Sequence, residues 1–252
     1  MQEIKVRDII IGEGIPKICV PIVAANIDEA VVAAKEIAGM NVDIVEYRAD
    51  YFKEWKDHSK LRKTLESIRN VIGNKVLLFT FRTSAEGGNG NASVKEYLSL
   101  CKMVCDDRLA DVIDVEAFID EETYADAVSV AHSNGVIVVA SNHDFAGTPD
   151  EDVMLRRLKY MESKDADIVK LAVMPNSARD VILLLSVTER YNRIGRKPLI
   201  TMSMGGKGII SRLSGEVFGS VVTFAQAGRA SAPGQIPVDD LRKILESIHN
   251  SK

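Results

Sequence analysis

The chain has 252 residues, 46% of them apolar and 27% charged, which is an ordinary globular profile with ample core, and its net charge of −4 leaves no footprint for nucleic acid. No stretch approaches the roughly 18 apolar residues of a membrane span. The opening "MQEIKVRDIIIGEG" lacks the basic-then-apolar layout of a signal peptide, so a cytoplasmic protein is expected.

In chain order, "IKVRDIIIGEG" reads as a short hairpin, followed by a strand at 17–24 and a helix at 27–39 capped by Asn26. A strand at 42–49, a helix at 57–71 and a strand at 75–82 come next. "LCKMVCDD" puts Cys101 and Cys105 on one helix face, expected to be half-buried; no histidine or third cysteine lies close enough in sequence to suggest a metal. The pattern continues with a strand at 111–118, a helix at 121–133, a strand at 135–143 and a helix at 149–162 starting at Thr148-Pro149. Strands at 166–173, 198–204 and 220–225 follow, with helices at 176–193 and, opened by Pro237, at 237–250.

Eight strand–helix alternations in this length predict one (β/α)8 barrel over residues 1–252, with the hairpin closing its bottom. A doubly wound open sheet is the competitor. Against it, the loop after the first strand reads "AANIDEA" and not a G-x-G-x-x-G turn.

Residues two apart share a face of a strand. Inward at the C-terminal ends this places Glu46 with Arg48, then Arg82, Asp114 with Glu116, Ser141 with His143, and Lys170; Met202, Met204 and Phe224 come from the last two strands. Ionisable groups at that end of a barrel build an active site. The plainer alternative is a self-satisfied layer of salt bridges, with Lys170 in "DADIVKLAV" simply ending a strand or paired to a carboxylate. Of the four histidines, His58, His132 and His249 fall in polar or helix-end contexts, which leaves His143 at a strand's C-terminal end.

No H-E-x-x-H, Walker loop or G-x-S-x-G elbow is present, and "GGNG" (87–90) and "GGKG" (205–208) lack full phosphate-loop spacing, so neither metal nor cofactor is expected. A lysine among apolar neighbours and near arginines is a candidate nucleophile. An ordinary lysine amine is neutral in roughly one molecule in two thousand at pH 7, and desolvation and nearby positive charge raise that fraction. A neutral amine forms an imine with a ketone, and a histidine held by a carboxylate, here Glu86, then moves the proton.

The segments "LLFTFRTSAEGG", "SNHDF", "KLAVMP", "TMSMG", "ISRLSGEVFGS" and "SAPGQI" closely resemble the type I 3-dehydroquinate dehydratase family, and the match runs essentially end to end. The resemblance implies a Schiff base between Lys170 and the C3 ketone of 3-dehydroquinate, with His143 as general acid and base and Glu86 orienting it. It further implies Arg212 on the substrate carboxylate and Glu46, Arg48 and Arg82 on ring hydroxyls. Ser231 and Gln235 would come from a closing loop, Met202, Met204 and Phe224 would form an apolar wall, and the protein would be a homodimer. Three departures stand out: Pro21 where some members have Ser, Tyr47 in place of Trp, and Val169 in place of Pro. Two other readings remain open from the residues, a class I aldolase barrel and a non-enzymatic barrel that binds a carboxylated metabolite.

Overall fold

The computed structural model describes residues 2–227 and 234–251. Two short strands, β1 (Ile4–Val6) and β2 (Ile9–Ile11), pair antiparallel. Strands and helices then alternate: β3 (Lys17–Ile22), α1 (Ile27–Ala38), β4 (Ile44–Arg48), α2 (His58–Ile72), β5 (Val76–Thr80), α3 (Val94–Asp106) and β6 (Val112–Glu116). The second half runs α4 (Glu121–Ser133), β7 (Ile137–Asp144), α5 (Glu151–Ser163), β8 (Ile168–Val173), α6 (Ala178–Ile194) and β9 (Leu199–Ser203). It ends with α7 (Ile209–Leu213), α8 (Gly215–Phe218), β10 (Val222–Gln226), β11 (Ile236–Pro237) and α9 (Val238–His249).

Strands β3 to β9 pair in sequence order, all parallel, and β10 returns beside β3. The ring closes where Ser220 bridges Leu199 and the Val221 amide donates to the Leu199 carbonyl at 2.8 Å. This is the expected (β/α)8 barrel.

Alternation along each strand feeds two apolar layers. Inward residues such as Cys19, Ile44, Leu78, Val112, Val139, Ile168 and Val222 fill the lower barrel, and Val6 and Ile11 of the hairpin pack among them. The hairpin therefore plugs the bottom, as expected. Outward residues such as Val20, Val45, Tyr47, Phe79, Val115, Val138 and Val169 pack beneath the helices. Both faces are buried, which is why the strands read as near-continuous apolar runs.

Side-chain caps start several helices. Asn26 accepts from the Glu29 amide, and Ser93 with Glu96 and Ser177 with Asp180 form capping boxes. The fifth helix starts two residues later than expected, at Glu151, because Thr148 turns its hydroxyl to the Met174 carbonyl. Cys101 and Cys105 are fully buried and not half-buried, since α3 also turns Tyr97, Leu100 and Val104 inward. Between β9 and β10 the chain makes the short α7 and α8, for which the sequence carried no helical period. Among the described residues, no helix is long and apolar enough to cross a membrane.

Candidate active site

The polar ends of the barrel strands converge at the mouth. Lys170 is 3% exposed, which matches an inward position on β8, and its Nζ donates to Asp114 Oδ2 at 2.8 Å. The Phe224 ring centroid lies 5.0 Å from Nζ. The lysine is thus buried and paired: among the described residues Asp114, and no arginine, is the charged group in contact with it.

Asp114 also accepts from Arg82 Nη2 and the Ser141 hydroxyl. Burial alone would push its carboxyl up, but Arg82 and Lys170 outweigh that and hold it far below the usual carboxylate range. Arg82 Nη1 reaches Glu116 at 3.1 Å, Ser141 at 3.0 Å and Glu86 at 3.4 Å. Part of the mouth is therefore a salt-bridge layer, as the plainer alternative had it, but the layer opens onto a cavity.

His143 lies beside Lys170 on the adjacent strand: Ser141 is in register with Lys170, and His143 with Ala172. Its Nδ1 is 2.9 Å from Glu86 Oε2, and the same oxygen accepts the His143 backbone amide at 3.1 Å. When Glu86 is ionised the carboxylate takes the Nδ1–H, which leaves the Nε2 lone pair free. Burial first, then Arg82 and Lys170, depress the imidazole well below its ordinary value, so it is neutral at pH 7. Burial raises Glu86 to about 7 against the pull of Arg82.

Glu86 sits on a short turn after β5. The glycines of "GGNG" shape it for packing: Gly87 has φ 76°, and a Cβ on Gly88 would lie 2.1 Å from the Arg82 carbonyl. Gly208 of "GGKG" serves the same end against Ser203.

A cavity of about 230 Å³ is lined by Glu46, Arg48, Arg82, Glu86, His143, Lys170, Met202, Met204, Arg212, Phe224 and Gln235. All of the candidate residues except Ser231 thus meet in one place; Ser231 lies outside the described residues. Tyr51, Thr80, Gly87, Phe145 and Ala172 complete the lining and carried no sequence signal strong enough to single them out.

Glu46 accepts from Thr80 Oγ1 at 2.8 Å. Arg48 spends Nε and Nη2 on both oxygens of Asp50, each at 2.8 Å, as a bidentate pair. Arg212 differs from the other cations. It is 3% exposed, no carboxylate faces it among the described residues, and its Nε has no partner there. Burial lowers it to about 10. It is held in place by α7, whose Ser211 hydroxyl accepts from the Ser203 amide and whose Arg212 carbonyl accepts from Thr223. A buried, unmatched guanidinium beside a cavity is a seat for a carboxylate.

Tyr47 and Val169 point into the helix-facing layer and do not line the cavity. Pro21 lies in register with Glu46 and offers no hydroxyl.

The type I 3-dehydroquinase family model matches residues 18–252. The 3-dehydroquinate dehydratases of Clostridium novyi and Bacillus licheniformis are 42% and 45% identical over 251 and 249 residues, covering 99% and 98% of both chains. The solved type I 3-dehydroquinate dehydratase of Clostridium difficile is 42% identical with a TM-score of 0.97, covering 100% of this chain and 99% of its own. The solved 3-dehydroquinate dehydratase of Geobacillus kaustophilus is 39% identical with a TM-score of 0.96, covering 99% of this chain and 97% of its own. The chain belongs to the type I 3-dehydroquinase family.

Proposed function

We propose that this protein converts 3-dehydroquinate to 3-dehydroshikimate and water, a dehydration in the shikimate pathway, through an imine on Lys170. The observation that carries the reading is one cavity holding three things: a buried lysine, a histidine whose Nδ1 meets Glu86, and a buried arginine with no carboxylate partner among the described residues.

Arg212 takes the substrate carboxylate, and Met202, Met204 and Phe224 hold the carbon face of the ring. Glu46, Arg48 and Arg82 address its hydroxyls, and Gln235 meets it from the cavity lining. The Lys170 ammonium first gives a proton to His143, the base facing the same cavity. The free amine attacks the C3 carbonyl, and His143 passes that proton to the carbinolamine oxygen, which leaves as water; this forms a protonated imine and returns His143 to its neutral form. That imine withdraws electrons from C2, so His143 Nε2 removes the C2 proton. The electron pair moves to expel the C1 hydroxyl, which departs as water with the proton His143 returns, a syn elimination. Hydrolysis of the imine frees the product and restores the lysine. The solved Clostridium difficile relative contains covalently modified comenic acid, and covalent chemistry at Lys170 is in keeping with that. A single barrel per chain, a homodimer and a cytoplasmic location belong to the same proposal.

The direct test is incubation with 3-dehydroquinate while following the ultraviolet absorbance of the conjugated product. Absorbance growth that depends on Lys170 supports the reading; binding without turnover, or a carbon–carbon cleavage product, refutes it. Arg212→Ala is expected to raise KM roughly 10–100-fold, the worth of a hydrogen-bonded charge pair, with a much smaller change in kcat.

The pH profile follows from the histidine–glutamate pair. Adding one proton gives either imidazolium or a neutral Glu86 that donates to Nδ1 and pushes the ring proton onto Nε2. Either way the Nε2 lone pair is lost. Because Glu86 titrates at about 7, kcat/KM should fall on the acid side of about pH 7 and be maintained above it. A flat profile from pH 5 to 8 would contradict this.

A further inference from the structure

Behind Glu86 runs a chain of hydrogen bonds that leaves the barrel mouth and ends on helix α5. Asn142 Nδ2 donates to Glu86 Oε1 at 2.9 Å. On the other side of the same amide, Arg157 Nη1 donates to Asn142 Oδ1 at 3.0 Å and to Asp144 Oδ2 at 2.9 Å. His143 lies between Asn142 and Asp144 in sequence, so Arg157 grips β7 on both sides of the proposed base.

The chemistry of these groups allows one arrangement. A guanidinium has donors and no acceptor, so Asn142 must present its carbonyl to Arg157. Its amino group is then turned to Glu86 as a donor. Oε1 must therefore accept, and a carboxyl proton has no place on it. Oε2 already accepts the His143 backbone N–H, a group that can only donate. Both oxygens thus face fixed donors, which favours the ionised carboxylate with the Nδ1–H as the donor to Oε2.

We infer that Arg157 is a positioning residue for the proposed reaction: by fixing the orientation of Asn142 it favours the ionised Glu86 and the His143 tautomer that leaves Nε2 as the base. The inference rests on the function proposed above. Arg157 stands on the helix layer and does not line the cavity. Its effect passes through Asn142.

Other charges face this pair. Arg82 is 3.4 Å from Glu86 Oε2, and Glu116 and Asp114 act on Glu86 through space. His143 feels Arg82, Lys170, Asp114 and Arg48. None of them touches the Asn142 amide, so they do not decide which way it points. Without Arg157 the amide is free to turn its carbonyl to Oε1, where it would welcome a proton on Glu86. The neutral acid would be favoured and the base lost at a higher pH.

The test is the pH profile of kcat/KM with 3-dehydroquinate for the wild type, Arg157→Met and Arg157→Lys. In Arg157→Met the acid limb should move up by about one pH unit, the size of one hydrogen bond to a charged group, costing about five-fold at pH 7. The plateau above pH 9 should be retained, and Arg157→Lys, which still donates, should return the limb toward the wild type. The ¹⁵N shifts of His143 at pH 8 should report Nδ1–H in the wild type and a mixture of tautomers in Arg157→Met. An unmoved limb, or an equal loss at every pH, would overturn the inference and make Arg157 merely structural. If the wild type itself fails to turn over 3-dehydroquinate, the proposed function fails first, and the ¹⁵N experiment still tests the positioning role.

Discussion

Replacing Lys170 with alanine is expected to abolish imine formation and lower kcat by roughly 10⁴-fold or more, because the step that makes C2 acidic disappears. The outcome must be separated from misfolding. Asp114 is buried, and Nζ is one of its three side-chain donors among the described residues. Removing one partner from a buried pair costs about 3–5 kcal/mol when nothing else holds the charge. Arg82 and Ser141 remain on Asp114, so the loss should be smaller than that. Lys170→Met keeps the stem against Phe224, and its thermal unfolding by circular dichroism should stay close to that of the wild type while its activity stays absent. Substantial turnover by either variant would remove the lysine from the mechanism.

The second large effect concerns the proton. His143→Ala should slow turnover by roughly 10²–10⁴-fold, the usual worth of a general acid–base group. It leaves Lys170 with Asp114, so the covalent step survives better than the elimination, and borohydride should still trap an adduct. Stopped-flow absorbance with acid quench would read the two steps separately. A His143→Ala enzyme with the wild-type kcat would mean that another group moves the C2 proton.

The fold was legible because each barrel strand carries apolar residues on both faces, and the polar exceptions fall at one end. Glu46, Arg82, Asp114, His143 and Lys170 could be placed inward by counting in twos from the apolar members of the same strands. Helix α3 could have been drawn from its own signal, the Ser93–Glu96 box ahead of Tyr97 and Leu100. Helices α7 and α8 could not, since a four- or five-residue helix has no period to read.

Partners within the site were harder to see. The sequence presents Lys170 as a charge in an apolar strand, but Asp114 is 56 residues away, and only the closing of the barrel brings it to Nζ. Arg48 points inward as expected, yet its guanidinium is fixed by Asp50 two residues later, a pairing set by the turn after β4. Arg212 lay in no strand, so only the family resemblance singled it out. What suits it to the proposed carboxylate-binding role is the lack of an acidic partner among the described residues, which no local pattern records. The Arg157–Asn142–Glu86 relay is likewise a product of tertiary packing between a helix and two strand ends.

The most direct measurement is borohydride reduction of the protein mixed with 3-dehydroquinate, followed by peptide mass analysis. A stable adduct on the peptide bearing Lys170, absent without the ketone, is the predicted result. Full turnover with that peptide unmodified, or with the added mass on a different lysine, would show that the amine buried beside Asp114 is not where the carbonyl is captured.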